Sequence, residues 1–182
     1  MRLDPTTGIS AAEVVNHSGT EELADIIFQY GEDRFARRIA RAIGAQRPFA
    51  TTTQLAEVIR RAVGSHREAR QHPATRTFQA LRIYVNDELG ALEAALPQAL
   101  NLLRPGGVMA VITFHSLEDR IVKQYLRRES SDCICPPHIP VCQCGHHAVL
   151  STLHRRGLSP SPIETARNPR SRSARLRAAI KL

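Results

Sequence analysis

Apolar residues at helical spacing predict several short helices in the first part of the chain. They recur every three or four positions in three groups: Leu23, Ile26, Ile27 and Tyr30; Phe35, Ile39 and Ile43; Leu55, Val58, Ile59 and Val63. Ser10 with Glu13 predicts a capping box before them, Thr20 and either Thr52 or Thr53 are further cap candidates, and Gly31 and Gly44 are predicted helix ends. Residues 1–71 therefore predict a compact helical unit.

A longer helical pattern follows, with the same spacing from Phe78 to Leu100. Gly90 and Pro97 are the predicted break points, because glycine costs backbone entropy and proline removes a hydrogen bond. The run RPGG at residues 104–107 predicts a sharp end to this helical segment.

The pattern then changes to that of a strand. Residues 108–114 (VMAVITF) are all apolar except for one threonine, which predicts a strand covered on both faces, as in a parallel sheet. Ser116 with Asp119 predicts the cap of a following helix. A helix, a Gly-Gly turn, a buried strand and another helix are typical of an α/β, doubly wound fold.

The last part of the chain predicts two more strands and one short helix. Residues 149–153 predict a short strand, and Ser161 with Pro162 predicts a helix start. From residue 174 onwards apolar and basic residues alternate, which predicts a strand with one polar face at or near a sheet edge.

The net charge of the chain indicates what kind of partner it binds. Lys and Arg number 25 against 17 Asp and Glu, the net charge is +8, and the basic residues cluster towards the C-terminus. This balance favours a nucleic-acid surface over a surface that arginine merely solubilises. The sequence contains no bilayer-length apolar run and no leader, so we expect a cytoplasmic protein without a membrane partner.

The four cysteines all lie in a loop at residues 133–147. Cys133, Cys135, Cys142 and Cys144 form two C-x-C pairs, with Pro136-Pro137 and Gly145 available to turn the chain between and after them. In a reducing compartment such a cluster favours a tetrahedral, structural zinc site. Free thiols are the alternative, since C-x-C is tighter than the usual zinc-finger spacing.

Three long stretches carry a resemblance to a known family: residues 30–40 (YGEDRFARRIA), 72–89 (HPATRTFQALRIYVNDEL) and 114–123 (FHSLEDRIVK). Together with residues 1–4 (MRLD) and 168–174 (NPRSRSA), they resemble the 16S rRNA cytosine-N4 methyltransferase H family, in order and over nearly the whole chain.

The resemblance implies a partial class I, Rossmann-like methyltransferase core that uses S-adenosylmethionine, with an α-helical insertion domain. Residues 1–71 would form most of the insertion and residues 72–182 the C-terminal half of the core. The implied function is N4-methylation of a cytidine in 16S rRNA, with the small ribosomal subunit as partner. An alternative hypothesis is a non-catalytic RNA-binding or ribosome-assembly module. A third hypothesis is a small zinc-stabilised interaction domain.

The chain departs from the family at the cofactor site. Members carry a glycine-rich turn upstream of the segment that matches residues 1–4, whereas this chain contains no G-x-G. We therefore expect the isolated chain to bind S-adenosylmethionine poorly or not at all, and to pair with a missing N-terminal half or to self-associate through an exposed sheet edge. No cofactor-binding residue is assigned.

Candidate catalytic residues follow from the strand and from the resemblance. His115 and Ser116 come directly after the strand at 108–114, where pockets of α/β sheets lie. The alternative is that Ser116 only caps a helix and His115 is a packed turn residue. Asp4 lies in the matching segment at 1–4 and is the third candidate, with a solvent-exposed carboxylate as the alternative.

Two groups of residues are candidates for RNA contact. Arg76, Arg82 and Asn86 lie on one matching helix, where they either grip a phosphate and a base edge of RNA or brace the insertion against the core. Asn168, Arg170 and Arg172 lie in a basic loop near the C-terminus and are the strongest phosphate-binding candidates.

Overall fold

The computed structural model of the chain describes residues 1–64, 72–136, 139 and 141–182. Its contacts divide the chain into two compact units, Met1–Glu88 and Leu89–Leu182. The domain boundary that the sequence predicts at residue 71 lies outside the described residues.

The described part of the first unit is helical. Its helices are α1 (Ala11–His17), α2 (Thr20–Gly31), α3 (Ala36–Gly44), α4 (Thr52–Val63) and α5 (Thr75–Asn86). The apolar residues at helical spacing in α2, α3 and α4 are buried, except that Tyr30 and Phe35 are half-buried against the core. Leu23, Ile27, Ile39, Ile43 and Ile59 are completely buried. A single core of aliphatic side chains thus holds this unit together.

Helix caps decide where these helices begin. Ser10 and Glu13 form the predicted capping box, in which the Ser10 hydroxyl accepts from the Glu13 N–H and the Glu13 carboxylate accepts from the Ser10 N–H. The cap of α4 is Thr51, not Thr52 or Thr53, and Gly19 rather than Thr20 precedes α2. In both helices a glutamine or glutamate three residues later reaches back to the cap N–H, which fixes the earlier start.

The predicted break points of the long helical segment are wrong. The chain turns at Asp87, whose φ of 46° is left-handed, and α6 (Glu88–Leu102) then continues through both Gly90 and Pro97. A proline inside a helix costs about 3 kcal/mol. Leu96 and Leu100 on either side of Pro97 are buried, and each such leucine contributes about 1.5–3 kcal/mol, so packing offsets that cost.

The second unit contains a three-stranded sheet. Its strands are β1 (Val108–Thr113), β2 (Leu150–Thr152) and β3 (Arg175–Lys181), in the order β1-β3-β2. β3 runs antiparallel to both neighbours, with Val111 opposite Arg177 and Leu150 opposite Lys181. The remaining elements are α7 (Ser116–Glu129), α8 (Pro162–Arg167) and a 3-10 helix, Pro169–Ser173.

The two faces of the sheet differ sharply. One face, with Met109, Ala179 and Leu150, packs against side chains of α6 and α7. The opposite face is apolar and is made by alternate residues of β1 and β3: Val108, Ala110, Ile112, Leu176, Ala178 and Ile180. Val108 and Ile112 remain 53% and 60% exposed, so this open face has no cover among the described residues.

Three predictions about these strands are therefore corrected. β1 is covered on one face only, its neighbour is antiparallel, and β3 lies in the centre of the sheet rather than at an edge. The alternation in β3 is as predicted, but its polar side faces the helices. Arg177 is buried there because it pairs with Asp119 of α7, while the Lys181 ammonium donates to the carbonyls of Leu100 and Leu103.

The fold is thus mixed α/β with a small antiparallel sheet. Because β1 and β2 are both antiparallel to β3, they run in the same direction. Among the described helices, none is both long and apolar enough to cross a membrane.

Candidate functional site

The carboxyl end of β1 is organised around His115. Its Nδ1 accepts a hydrogen bond from the Glu118 N–H at 3.3 Å, so His115 is the N-cap of α7. The Glu118 carboxylate reaches back to the N–H groups of Phe114 and His115. The second ring nitrogen, Nε2, lies 3.2 Å from Glu118 Oε1 without hydrogen-bond geometry. The Nδ1 lone pair is thus committed to the helix cap.

This arrangement keeps Glu118 ionised. Partial burial acts to raise its pKa, but the interaction with the His115 side chain and the hydrogen bond from Phe114 outweigh it, and the pKa is lowered. An anionic carboxylate at a helix N-terminus also interacts favourably with the helix dipole.

Ser116 does not form the predicted cap. α7 begins at Ser116 itself, one residue earlier than the pairing of Ser116 with Asp119 requires. The shift occurs because imidazole can replace the hydroxyl as acceptor and Glu118 takes the position of the reaching carboxylate. Ser116 is exposed in the first turn of the helix, and the ring of Phe114 before it is also exposed.

Asp119 is left to bind Arg177. The two side chains make a bidentate ion pair, with Nε to Oδ1 at 2.7 Å and Nη2 to Oδ2 at 2.8 Å. Hydrogen bonding from Arg177 is the main reason why the pKa of Asp119 is lowered. This pair ties the first turns of α7 to the central strand of the sheet.

Asp4 lies in the first unit, in an exposed N-terminal segment. Its Oδ1 accepts from the Thr6 N–H at 2.8 Å and from the Thr6 hydroxyl at 2.6 Å. The hydrogen bond from the Thr6 hydroxyl is the largest cause of the lowered pKa of Asp4. Its carboxylate is therefore ionised and held in a fixed local turn.

Asn86 holds that segment in place. The side-chain Oδ1 accepts from the Leu3 N–H at 2.7 Å, and Nδ2 donates to the carbonyls of Met1 and Arg82. One amide group thus bonds to the backbone of both residue 1 and residue 3. Asn86 therefore holds the residues that precede Asp4.

Arg76 and Arg82 also bind within the first unit. Arg76 donates to the carbonyl of Glu32 at the C-terminal end of α2. Arg82 makes a bidentate ion pair with Glu88, at 2.7 and 2.9 Å. Both side chains remain exposed, but these contacts support bracing of the helical unit more directly than phosphate binding.

In the C-terminal basic loop, hydrogen bonds shape the backbone and leave the arginine side chains exposed. Asn168 uses its side-chain oxygen to accept from the Arg170 N–H, and the buried Ser171 donates to the Asn168 carbonyl. These bonds shape the 3-10 helix and leave Arg170 and Arg172 exposed on it. In the described part of the chain no carboxylate pairs with either guanidinium, so both are available to phosphate.

The second unit contains a basic cleft that the sequence analysis did not predict. It has a volume of about 740 Å³ and lies between α7 and β2, with Lys123, Arg127, His154 and Arg155 in its lining. The available signal was the helical spacing of Lys123 and Arg127 on the polar side of α7, together with the Arg155-Arg156 pair.

The four cysteine thiols converge in the loop between α7 and β2. The Sγ atoms of Cys133, Cys135, Cys142 and Cys144 all lie within 4.8 Å of one another. Cys142 and Cys144 are 3.5 Å apart at sulfur, and Cys144 and Cys133 are 3.9 Å apart. Pro137, to which the sequence gives a turning role, lies outside the described residues.

Two of these thiols have shifted pKa values. Hydrogen bonds from the N–H groups of Ile134 and His146 lower the pKa of Cys144 to about 6. The N–H of Cys135 acts in the same direction on Cys133, but hydrogen bonding among the neighbouring sulfurs outweighs it and raises the pKa of Cys133 to about 12. Sulfurs this close cannot all carry negative charge unless a cation lies between them.

The described residues do not form a cradle for a nucleotide-type cofactor. Such a cradle requires glycine where the backbone of a strand-to-helix turn approaches the cofactor. The turn after β1 consists of Phe114 and His115, and the described glycines with positive φ, namely Gly8, Gly64, Gly106 and Gly145, lie elsewhere. The turn after β1 therefore lacks the glycine that S-adenosylmethionine requires at such a site.

Comparison with known proteins gives one consistent result. A family model described as the MraW methylase family matches residues 1–182. The chain is 58% identical to a protein of Thermomicrobium roseum over 185 aligned positions and 56% identical to one of Dehalococcoides mccartyi over 182. Both relatives are named "Ribosomal RNA small subunit methyltransferase H". The alignments cover 100% of this chain but 56% and 52% of those proteins, so the chain spans about half the length of the curated relatives it matches.

Proposed function

Because this chain belongs to the MraW methylase family, we propose that it forms part of an enzyme that methylates RNA of the small ribosomal subunit. The observation that carries this proposal is the match to the family over all 182 residues, together with relatives at 56–58% identity that bear that name. The finer assignment is N4-methylation of a cytidine in 16S rRNA with S-adenosylmethionine as methyl donor.

The second unit would be the C-terminal part of the methyltransferase core, and the first unit would contain the insertion domain. The three-stranded sheet supports this assignment, because its apolar open face and the free edge of β1 are features of an incomplete sheet. In the whole protein we propose that the remaining half covers this face and continues the sheet beyond β1. Without it, the same surface favours self-association.

The remaining half would also hold the methyl donor, which supplies the transferred carbon when bound. The lack of a glycine turn after β1 supports placing the donor site in the remaining half, since the described residues do not provide such a turn. The chain's own residues would instead position the cytidine and accept its hydrogen bonds.

Asp4 is the residue that we propose to act on the base. Its carboxylate is ionised and exposed, so it can accept a hydrogen bond from the exocyclic amine of a flipped cytosine. Asn86 would act through it as a positioning residue, because it anchors the backbone of residues 1 and 3.

His115 and Ser116 would line the pocket at the end of β1. The cap bond to Nδ1 argues against His115 as the proton acceptor, because protonation there would break the bond from the Glu118 N–H. We therefore propose that His115 shapes the pocket, and that Ser116, exposed in the first turn of α7, contacts RNA.

Arg170 and Arg172 would bind RNA phosphates, with Asn168 shaping the turn that presents them. The basic cleft beside α7 extends the surface available to the backbone of an RNA strand. Arg76 and Arg82 would contribute by bracing the helical unit.

The test is methylation of small ribosomal subunits that lack the modification. The chain would be joined to the remaining half of the Thermomicrobium roseum relative, incubated with labelled S-adenosylmethionine, and the rRNA digested to nucleosides. We expect label in N4-methylcytidine, and at least a tenfold slower reaction with Asp4→Asn. Binding of the subunit without any transfer would instead favour the alternative, a non-catalytic RNA-binding or assembly module.

A further inference from the structure

We propose that Cys133, Cys135, Cys142 and Cys144 bind one zinc ion as a tetrathiolate site that fixes the loop between α7 and β2. The proposed methylation assigns no role to these side chains, and the loop lies outside the three stretches that carry the family resemblance.

The sulfur geometry suits a tetrahedral metal. With a Zn–S distance of about 2.3 Å, a tetrahedral site places its sulfurs about 3.8 Å apart. The contacts Cys142–Cys144 at 3.5 Å and Cys133–Cys144 at 3.9 Å lie close to that separation. All four sulfurs lie within 4.8 Å of one another, so small side-chain rotations are enough to reach it.

Backbone groups around the sulfurs favour the thiolate form. The N–H of Ile134 donates to Cys144 Sγ, that of Cys135 to Cys133 Sγ, and that of Gln143 to Cys135 Sγ, each at 3.4 Å. Such donors around a metal site orient the ligands and stabilise their negative charge. A cluster of ordinary apolar cysteines would not require them.

The loop needs a tether of this kind. Residues 130–149 contain no helix or strand in their described part, and loops longer than about 12–15 residues without such elements are uncommon in compact units. The ends of the loop are held by the bond from the Val149 N–H to the Glu129 carbonyl and by the bond from the Ala148 N–H to Asp132. The cysteines lie in the middle of the loop, of which no described residue is buried, so apolar packing does not hold it.

Metal binding in the loop is expected to fix the position of the neighbouring elements. β2 begins at Leu150, immediately after the loop, and one wall of the basic cleft is formed by residues of β2 and the segment after it. A metal in the loop would therefore fix both the end of α7 and the position of this wall. Zinc is favoured over a hard cation because all four ligands are sulfur.

The site is tested by the metal content of the untagged chain, purified under reducing conditions and measured by mass spectrometry of the elements. We expect one zinc per chain, which falls to near zero in Cys142→Ser and stays at one in the matched control His147→Ala, an exposed neighbour of the cluster. Cobalt titration of the reduced, metal-free chain should give the intense visible bands of a tetrahedral thiolate site, which does not depend on whether a variant folds.

Three results would overturn the proposal. The first is a reduced, folded chain that contains no bound metal and gives no thiolate spectrum with cobalt. The second is a zinc content that stays undiminished in Cys142→Ser. The third is a chain that, as isolated from cytosol, has its four cysteines joined in two disulfides. Hydrogen exchange adds a readout of the structural role, since zinc removal should increase exchange in β2 and leave α2 unchanged.

Discussion

Removal of Asp119 should destabilise the second unit more than removal of its partner Arg177. In Asp119→Ala the guanidinium of Arg177, whose side chain is only 8% exposed, loses both of its acceptors on the covered face of the sheet. Breaking one side of a buried pair costs about 3–5 kcal/mol. We expect the lower end, about 3 kcal/mol, because Asp119 is itself 22% exposed.

The reverse substitution leaves a better-hydrated group behind. In Arg177→Met the Asp119 carboxylate can turn towards water, so we expect a cost of about 1–2 kcal/mol. The double variant should cost less than the sum, with a coupling energy of about 2 kcal/mol, since it leaves no unpaired charge.

Hydrogen exchange of the β3 backbone amides measures these free energies in the second unit itself. Since about 1.4 kcal/mol corresponds to a tenfold change, Asp119→Ala should lower protection roughly a hundredfold. Equal effects of the two single variants, or additive effects in the double variant, would contradict the argument from burial.

The same pair predicts a dependence on pH. The pKa of Asp119 is lower in the folded protein than its ordinary value of 3.8. Its contribution to stability is therefore complete above that value and is lost as the pH falls through the folded pKa. The stability difference between the wild type and Asp119→Ala should shrink with acidification, beginning below about pH 5.

Four further substitutions test other contacts. Gly31→Ala should destabilise the first unit by about 1–3 kcal/mol in thermal unfolding, because the new methyl group would lie 2.8 Å from the backbone oxygen of Arg76. Asn86→Leu should release the N-terminal segment, which limited proteolysis would detect as faster cleavage within residues 1–9. Arg170→Ala and Arg172→Ala should each weaken RNA binding and reduce the salt dependence of the binding constant by about one unit.

Each of these substitutions has a control. Gly19→Ala meets open space, and because alanine is a poorer N-cap than glycine it should cost about 0.5 kcal/mol, less than Gly31→Ala. Asn86→Asp keeps the acceptor for Leu3 and should release the segment less than Asn86→Leu. Arg60→Ala removes a guanidinium that Glu57 already holds, so RNA binding should not change. An effect in these controls equal to that in the test variants would count against the assigned contacts.

Local signals predicted most of the helices but not the arrangement of the sheet. The capping box at Ser10 and the helix ends at Gly31 and Gly44 depend on residues near in sequence, and the structure confirms them. The alternation in β3 shows which residues share a face. It does not show which face is covered, because the burial of Arg177 depends on Asp119, far away in sequence.

For the candidate site, too, the local sequence identifies residues but not their long-range contacts. Spacing identified the cysteines but could not show that their sulfurs converge. The motif around Asn86 identified the residue but not its bonds to Met1 and Leu3, which join the two ends of the first unit. His115 was predicted at the end of the strand, whereas its role as the cap of α7 could be seen only once the Glu118 carboxylate was located.

The central claim is that these residues form part of a methyltransferase whose methyl donor is held by the remaining half of the whole protein. Titration calorimetry with S-adenosylmethionine tests it most directly. The account predicts no binding by the chain alone and saturable binding once the chain is joined to the remaining half of the Thermomicrobium roseum relative. Saturable binding by the isolated chain would contradict it.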